Sequence, residues 1–194
     1  MKFVINNQTL NNALKTLTKV VPTRTTLPVL SCAFFKIEKN NLLIKTTDLD
    51  QTIISQTKIT DEKEGEIAIP TNKLFEIINA MPDEEIKITT NEDLLVEINS
   101  NQGTYKISGK PAEEFPETNA PQKQESVVLR GKELFDIVDK TTFAASRDDL
   151  KPALTGVYFN METNKITAVA TDGHKLVKYE KEISAPNTTQ ESII

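Results

Sequence analysis

One histidine and one cysteine occur in 194 residues. That scarcity excludes the usual zinc sets, which draw several ligands from those two residue types. Cys32 stands alone, so it cannot close an internal disulfide and fits a reducing compartment. No stretch approaches the roughly 18 consecutive apolar residues of a membrane helix. The opening MKFVINNQTL lacks an apolar run of signal-peptide length, and a cytoplasmic location is expected. No glycine-rich loop follows a strand pattern, which removes the common phosphate cradles, and neither cofactor nor metal is expected. The net charge of −5 argues weakly against a nucleic-acid partner, but only as a total.

The residues that are present read as a soluble globular chain, 38% hydrophobic and 26% charged. KFVI (2–5) reads as a strand. Leu10, Ala13, Leu14, Leu17, Val20 and Val21 then follow helical spacing, with Asn6 or Asn7 as N-cap. VLSCAFFKI (29–37), LLIKTT (42–47) and QTIISQTKI (51–59) read as an antiparallel meander. The acidic DEKEG reads as a loop before the strand EIAI (66–69). From Pro70 a second helix is expected, with Leu74, Ile77, Ile78 and Met81 on its apolar face. IKITT, LLVEIN and TYKIS complete a second β-α-β-β-β half, so residues 1–109 read as one domain of two similar halves. KPAEEFPETNAPQKQE (110–125), with three prolines and no periodicity, reads as a linker. Beyond it SVVLR reads as a strand, and GKELFDIVDKTTFAAS as a helix facing inward through Leu134, Ile137, Val138 and Ala145.

A shift of 124 residues aligns 28–53 with 152–177 without a gap and gives seven identities in 26 positions. Average composition would give roughly two. The same shift pairs Leu10 with Leu134, so a duplicated domain is expected. The repeat also bears on the one pairing that looks catalytic, Asp172 with His174. Asp172 matches Asp48, but Asp50 stands where the histidine would be. An acid kept without its partner fits a tight-turn residue better than a catalytic one. Acid clusters at Asp61–Glu64 and Asp83–Glu85 fall in expected loops, and no enzyme signal survives.

TLPVLS (26–31), IPTNKLFEIINAMP (69–82), KPAEEFP (110–116) and ATDGHKL (170–176) together resemble the bacterial DNA sliding clamp, the beta subunit of DNA polymerase III. The resemblance runs from Met1 to Ile194. It implies an α+β fold, a duplicated DNA-clamp domain with two helices packed on antiparallel sheets in each copy. It implies a processivity factor rather than an enzyme: a head-to-tail homodimer closing a six-domain ring around double-stranded DNA. Its partners would be the catalytic subunit of DNA polymerase III, other polymerases and the clamp loader. A ring holds DNA by linkage, so it needs only a mildly basic inner wall.

On that resemblance Lys15, Lys19, Arg24, Lys73, Lys132, Lys140 and Arg147 are the candidate DNA-facing residues. From charge alone the same lysines fit a solvated helix face. Asp148 stands where some members carry a glutamine contact; an acid would repel phosphate, so that contact is not carried over. Leu154, Thr171, Gly173, His174, Lys175 and Leu176 match part of a family pocket for short hydrophobic peptides, with Lys175 in place of the more usual arginine. From pattern alone they fit a strand end packing on its own sheet. Tyr105 and Ile107 match family residues at the subunit interface, and independently read as an edge strand.

By the repeat, the second copy begins near 125 and reaches the counterpart of Pro70 at the end of the chain. The expected organisation is a complete first domain (1–109), a linker (110–125), an incomplete second domain (126–194) and no third: a fragment of a longer protein. An interaction module that binds peptides without encircling DNA is the alternative, and an Asp172–His174 enzyme a remote one. Reading the coding DNA past the codon for Ile194 tests the fragment expectation, which requires a helix like PTNKLFEIINAMP to follow. Sedimentation of the 194-residue chain should show no closed ring, and a stable, uniformly folded dimer would contradict this.

Overall fold

The structure, a computed structural model, describes residues 1–117, 129–148, 150–162, 164–182 and 190–193. The chain divides into two compact units, Met1–Ala120 and Pro121–Ile194.

In the first unit the elements run β1 (Lys2–Asn6), α1 (Asn7–Leu17), β2 (Cys32–Glu38), β3 (Asn41–Thr47), β4 (Thr52–Lys58), β5 (Thr60–Lys63), β6 (Gly65–Pro70), α2 (Thr71–Ala80), β7 (Glu85–Thr90), β8 (Leu95–Ser100) and β9 (Gly103–Ser108). They form two antiparallel sheets, β5-β1-β7-β8-β9 and β4-β3-β2-β6. Each half lends its first strand to the other half's sheet: β1 pairs with β7, and β6 pairs with β2. Leu10, Leu14 and Leu17 of α1 and Leu74 and Ile78 of α2 lose all exposure to water in the shared core. Each such side chain contributes about 1.5–3 kcal/mol of burial.

Polar groups fix the helix ends. Asn6 caps α1, its Oδ1 accepting from the Thr9 N–H at 3.1 Å. Asn7 takes a different part. It is buried, and its side-chain amide donates to the carbonyls of Met81 and Pro82 at 3.2 and 3.1 Å, tying the start of α1 to the end of α2. At the other end, buried Thr46 donates to the Leu17 carbonyl at 2.9 Å.

Three stretches differ from the sequence reading. Pro28–Ser31 is a turn of 3-10 helix rather than strand, with proline at its start and the Ser31 hydroxyl donating to the Pro28 carbonyl at 2.7 Å. The acidic stretch expected as a loop forms edge strand β5 on β1; charged side chains suit an edge, where they discourage pairing with another chain. The expected linker is docked over its first residues. Lys110 bridges to Ala68, and Phe115 packs 5.5 Å from Phe34, with the Lys45 ammonium 5.2 and 5.5 Å from the two rings.

The second unit contains α3 (Gly131–Thr141), a short α4 (Pro152–Thr155), β10 (Tyr158–Glu162), β11 (Lys165–Thr171), β12 (Leu176–Glu182) and β13 (Gln190–Ile193). Its sheet order is β12-β11-β10-β13. Most of the expected strand SVVLR lies outside the described residues; Leu129 and Arg130 are not in a strand. A shift of 124 places α1 on α3, β3 on β11 and β4 on β12, end to end. The match changes at β13. Phe34 pairs with Ala68 and Tyr158 with Ile193, a shift of 124 on one strand and 125 on the other. One extra residue therefore lies between β12 and β13.

Ile137 is fully buried with Val157, Phe159 and Ile166. Leu134 and Val138, expected in the core, are 44% and 40% exposed. Their counterparts Leu10 and Leu14 are buried in a core they share with α2, and no second long helix is present among the described residues of this unit. Ala145 falls beyond α3, after a 3-10 turn at Thr142–Ala144.

Leu14→Ala should lower the stability of the first unit by about 2–5 kcal/mol. Val138→Ala at the matching exposed position should cost under about 1 kcal/mol. Urea denaturation of the two variants, followed unit by unit, checks the contrast.

Candidate nucleic-acid face and peptide pocket

The turn holding the single histidine is built from short side chains. Thr171 Oγ1 donates to the Lys175 carbonyl at 2.7 Å and accepts from the Gly173 N–H at 3.1 Å. Asp172 Oδ1 accepts from the N–H groups of His174 and Lys175, both at 2.9 Å. The first unit repeats this bond for bond. Thr47 donates to the Gln51 carbonyl at 2.7 Å and accepts from the Leu49 N–H at 3.1 Å, while Asp48 accepts from Asp50 and Gln51. Asp172 is thus a turn residue. The Lys175 ammonium and the two N–H groups hold its carboxyl well below the usual carboxylate range.

Both turns need one residue at positive φ. Gly173 takes it at 89° and Leu49 at 85°. Glycine does so freely, whereas a leucine is strained by roughly 1–2 kcal/mol. Leu49 is also 58% exposed.

The six candidate pocket residues lie on two segments. Leu154 is half-buried on α4, its carbonyl accepting from the Ser146 N–H at 2.8 Å. Thr171, Gly173, His174, Lys175 and Leu176 form the turn and the start of β12, with Leu176 65% exposed. Beside α4 a cavity of about 300 Å³ is lined by Thr142, Phe143, Ala145, Ser146, Arg147 and Thr155. Phe143, 65% exposed, is absent from the sequence-derived set. The repeat carried a signal for it: its counterpart is the exposed Lys19.

The basic candidates divide by unit. Lys15 and Lys19 are exposed on and just beyond α1, which carries no acid at all. Lys73 is exposed on α2 near Glu76, and α1 and α2 are joined at Asn11 and Asn79 by a hydrogen bond of 3.3 Å. Arg24 is exposed in the loop after α1 and has no ion pair among the described residues. In the second unit Lys132 and Lys140 share α3 with Glu133, Asp136 and Asp139, so that helix is not basic on balance. Lys140 lies 4.8 Å over the Tyr179 ring, and Arg147 is exposed at the cavity beside α4. Asp148 serves its own loop, its carboxylate accepting from the Leu150 N–H at 3.1 Å.

Of the expected interface pair, Tyr105 is 38% exposed on edge strand β9, which among the described residues pairs with β8 alone. Ile107, the other, is 6% exposed and packs against the core beneath β9. No described residues form a cluster of three or more metal-ligating side chains, and no described helix is long and apolar enough to cross a membrane.

Solved structures fix the class. A sliding clamp from Pseudomonas aeruginosa, determined with griselimycin bound, matches with a TM-score of 0.91 at 28% identity, over all of this chain and 53% of that one. A DNA polymerase III beta subunit from Eubacterium rectale matches with a TM-score of 0.94 at 25% identity, again over 53% of its length. The fold is the α+β DNA-clamp fold. The chain belongs to the DNA polymerase III beta subunit family, whose N-terminal domain model matches residues 1–119 and whose central domain model matches 128–194. Curated relatives named beta sliding clamp include those of Vibrio cholerae, 28% identical, and Synechococcus elongatus, 30% identical. The chain spans about half the length of these relatives, 53% and 51%.

Asp172 should titrate well below the ordinary value of about 3.9. Because the folded state favours the carboxylate, the turn's stabilisation is complete above that ordinary value and fades as pH falls towards the depressed one. Carboxyl-carbon NMR checks this, and Lys175→Met should move the midpoint upward. A midpoint already near 3.9 in the unsubstituted chain would contradict the geometry.

Proposed function

We propose that this chain is the DNA-encircling and polymerase-tethering part of a sliding clamp, a processivity factor with no catalytic site of its own. The observation that carries the reading is the match of two successive clamp domains, joined to an acid-free α1 that exposes Lys15 and Lys19. With Arg24 and Lys73, and Lys132, Lys140 and Arg147 of the second unit, these residues would meet phosphates rather than bases. Contacts of that kind are sequence-independent and weaken with salt. Retention would come from ring closure in the full-length homodimer, joined head to tail through edge strand β9 near Tyr105. The working compartment is the cytoplasm, with no cofactor.

The pocket around Leu154, Thr171, Gly173, His174, Lys175 and Leu176 would hold short peptides of polymerases and the clamp loader, His174 serving as a rim contact and not as a base. The exposed Leu176 and Phe143 support that use, since isolated folds gain nothing from apolar groups held in water. They equally support an interaction module that binds peptides without encircling DNA.

Duplex binding by the 194-residue chain should be weak, with Kd about 10⁻⁴–10⁻⁶ M, and indifferent to sequence. Joint replacement of Lys15, Lys19 and Lys73 by alanine should flatten the dependence of log K on log salt by about 0.9 per lysine. Fluorescence anisotropy over a salt series checks it. An unchanged slope would remove these residues from the DNA face and favour the interaction module.

A further inference from the structure

The docked start of the linker and the loop that carries Arg24 meet in one small apolar cluster. Val29, Cys32, Ala68 and Phe115 are buried together, with Phe34 packed against them. Val29 belongs to the 3-10 turn at Pro28–Ser31, which ends the loop after α1, whereas Phe115 comes from the linker. We propose that residues 110–115 are a strap whose docking holds the Arg24 loop in place, with Phe115 as its positioning residue. The consequence for binding rests on Arg24 meeting DNA.

The coupling runs through contacts of short reach, the kind of contiguous network that can carry it. Phe115 packs with Val29. Around Val29 the Leu30 N–H donates to the Leu27 carbonyl at 3.0 Å, and the Ser31 hydroxyl to the Pro28 carbonyl at 2.7 Å. The Leu27 N–H donates in turn to Thr25 Oγ1 at 3.0 Å, and that hydroxyl donates to the Leu27 carbonyl at 3.2 Å. Thr25 adjoins Arg24. A turn pinned at Val29 therefore fixes the backbone as far as the arginine.

The strap itself is held at few points. Lys110 bridges to Ala68, its N–H donating at 2.7 Å and its carbonyl accepting at 3.1 Å. Glu113 and Glu114 are exposed, and Phe115 is the large side chain that anchors the segment, against Phe34 and beneath the Lys45 ammonium. An element held so sparsely opens at less cost than the domain unfolds. It also covers the single thiol. Cys32 has no exposure to water; burial pushes its thiol up, and the charges of Lys110 and Glu114 act on it. Thiol reactivity thus reports the opening at one known place. The strap leaves β9 at Gly109, where a Cβ would come within 2.7 Å of Ile67 Cδ1 and 3.1 Å of the Ala68 carbonyl oxygen. Ile67 is buried, so Gly109→Ala should shift the strap off its bridge without removing an apolar contact.

The test uses the full 194-residue chain. Phe115→Ala should speed the reaction of Cys32 with an aromatic disulfide reagent about tenfold, and amide exchange at Leu27 and Leu30 by a similar factor, while α1 keeps its protection. Gly109→Ala should act in the same direction, and Phe115→Leu, which keeps an apolar anchor, should restore most of the protection. Arg24→Gln should weaken binding of a short duplex about threefold in the unsubstituted chain and hardly at all beside Phe115→Ala, by fluorescence anisotropy. A reactive thiol with Leu27 and Leu30 still protected would overturn the proposal, because the strap would then open without the loop. Equal losses from Arg24→Gln in both backgrounds would overturn it too, with the DNA contact of Arg24 intact. No loss in either background would overturn the DNA reading of Arg24 instead, a failure that the thiol and exchange measurements keep apart from that of the strap.

Discussion

The first strand of each half is hydrogen-bonded into the sheet of the other half. That exchange, β1 onto β7 and β6 onto β2, is the constraint on which the first unit depends. It forces α1 and α2 to start from opposite sheets and to meet over one core, so neither half can bury its helix without the other. Asn7 secures the crossing point by bonding the end of α2 from the start of α1. The polar faces of the two helices are what remains after this arrangement has consumed their apolar faces. Lys15, Lys19 and Lys73 are therefore surface residues as a result of packing, before any question of what they bind.

The second unit shows the same construction from its other side. Its β10, β11 and β12 reproduce the meander, and β13 joins β10 as β6 joins β2. The turn chemistry is copied down to the acceptor atoms. That fidelity separates what the histidine's neighbourhood needs in order to fold from what is free to vary. Thr171 and Asp172 make the turn with their side chains, while His174 contributes its N–H group and Lys175 its N–H, its carbonyl and its ammonium. Variation at the free positions is where two copies of one scaffold can acquire different ligands.

Much of the fold was legible in the sequence, because α1, α2 and the meanders carry clean periods and the repeat aligns without a gap. The exceptions have physical causes. Asp61–Lys63 is a strand because β1 has an edge to fill, which composition does not reveal. Leu134 and Val138 read as core because periodicity identifies an apolar face but not what covers it. Ile107, matched by resemblance to an interface residue, is buried on β9, which an alternating edge-strand pattern does not reveal. The polar faces bearing the lysines were legible; the cavities were not. Leu49 gives no local sign of its positive φ, and only Gly173, one repeat away, hints at it. Phe143 is illegible for a related reason, since its meaning lies in the contrast with Lys19 rather than in its own surroundings.

The offset between the copies at β13 shows how such a chain can change length. A residue added within a paired strand would turn each following side chain to the opposite face of the sheet. Between β12 and β13 the same addition moves only the numbering, and Ile193 pairs with Tyr158 as Ala68 pairs with Phe34. The ladder of β13 on β10 keeps step although the count of residues between β12 and β13 does not. Drift between the two copies has thus been filtered by position: substitutions accumulate throughout, whereas the one residue added between β12 and β13 leaves β13 on β10 paired as β6 is on β2.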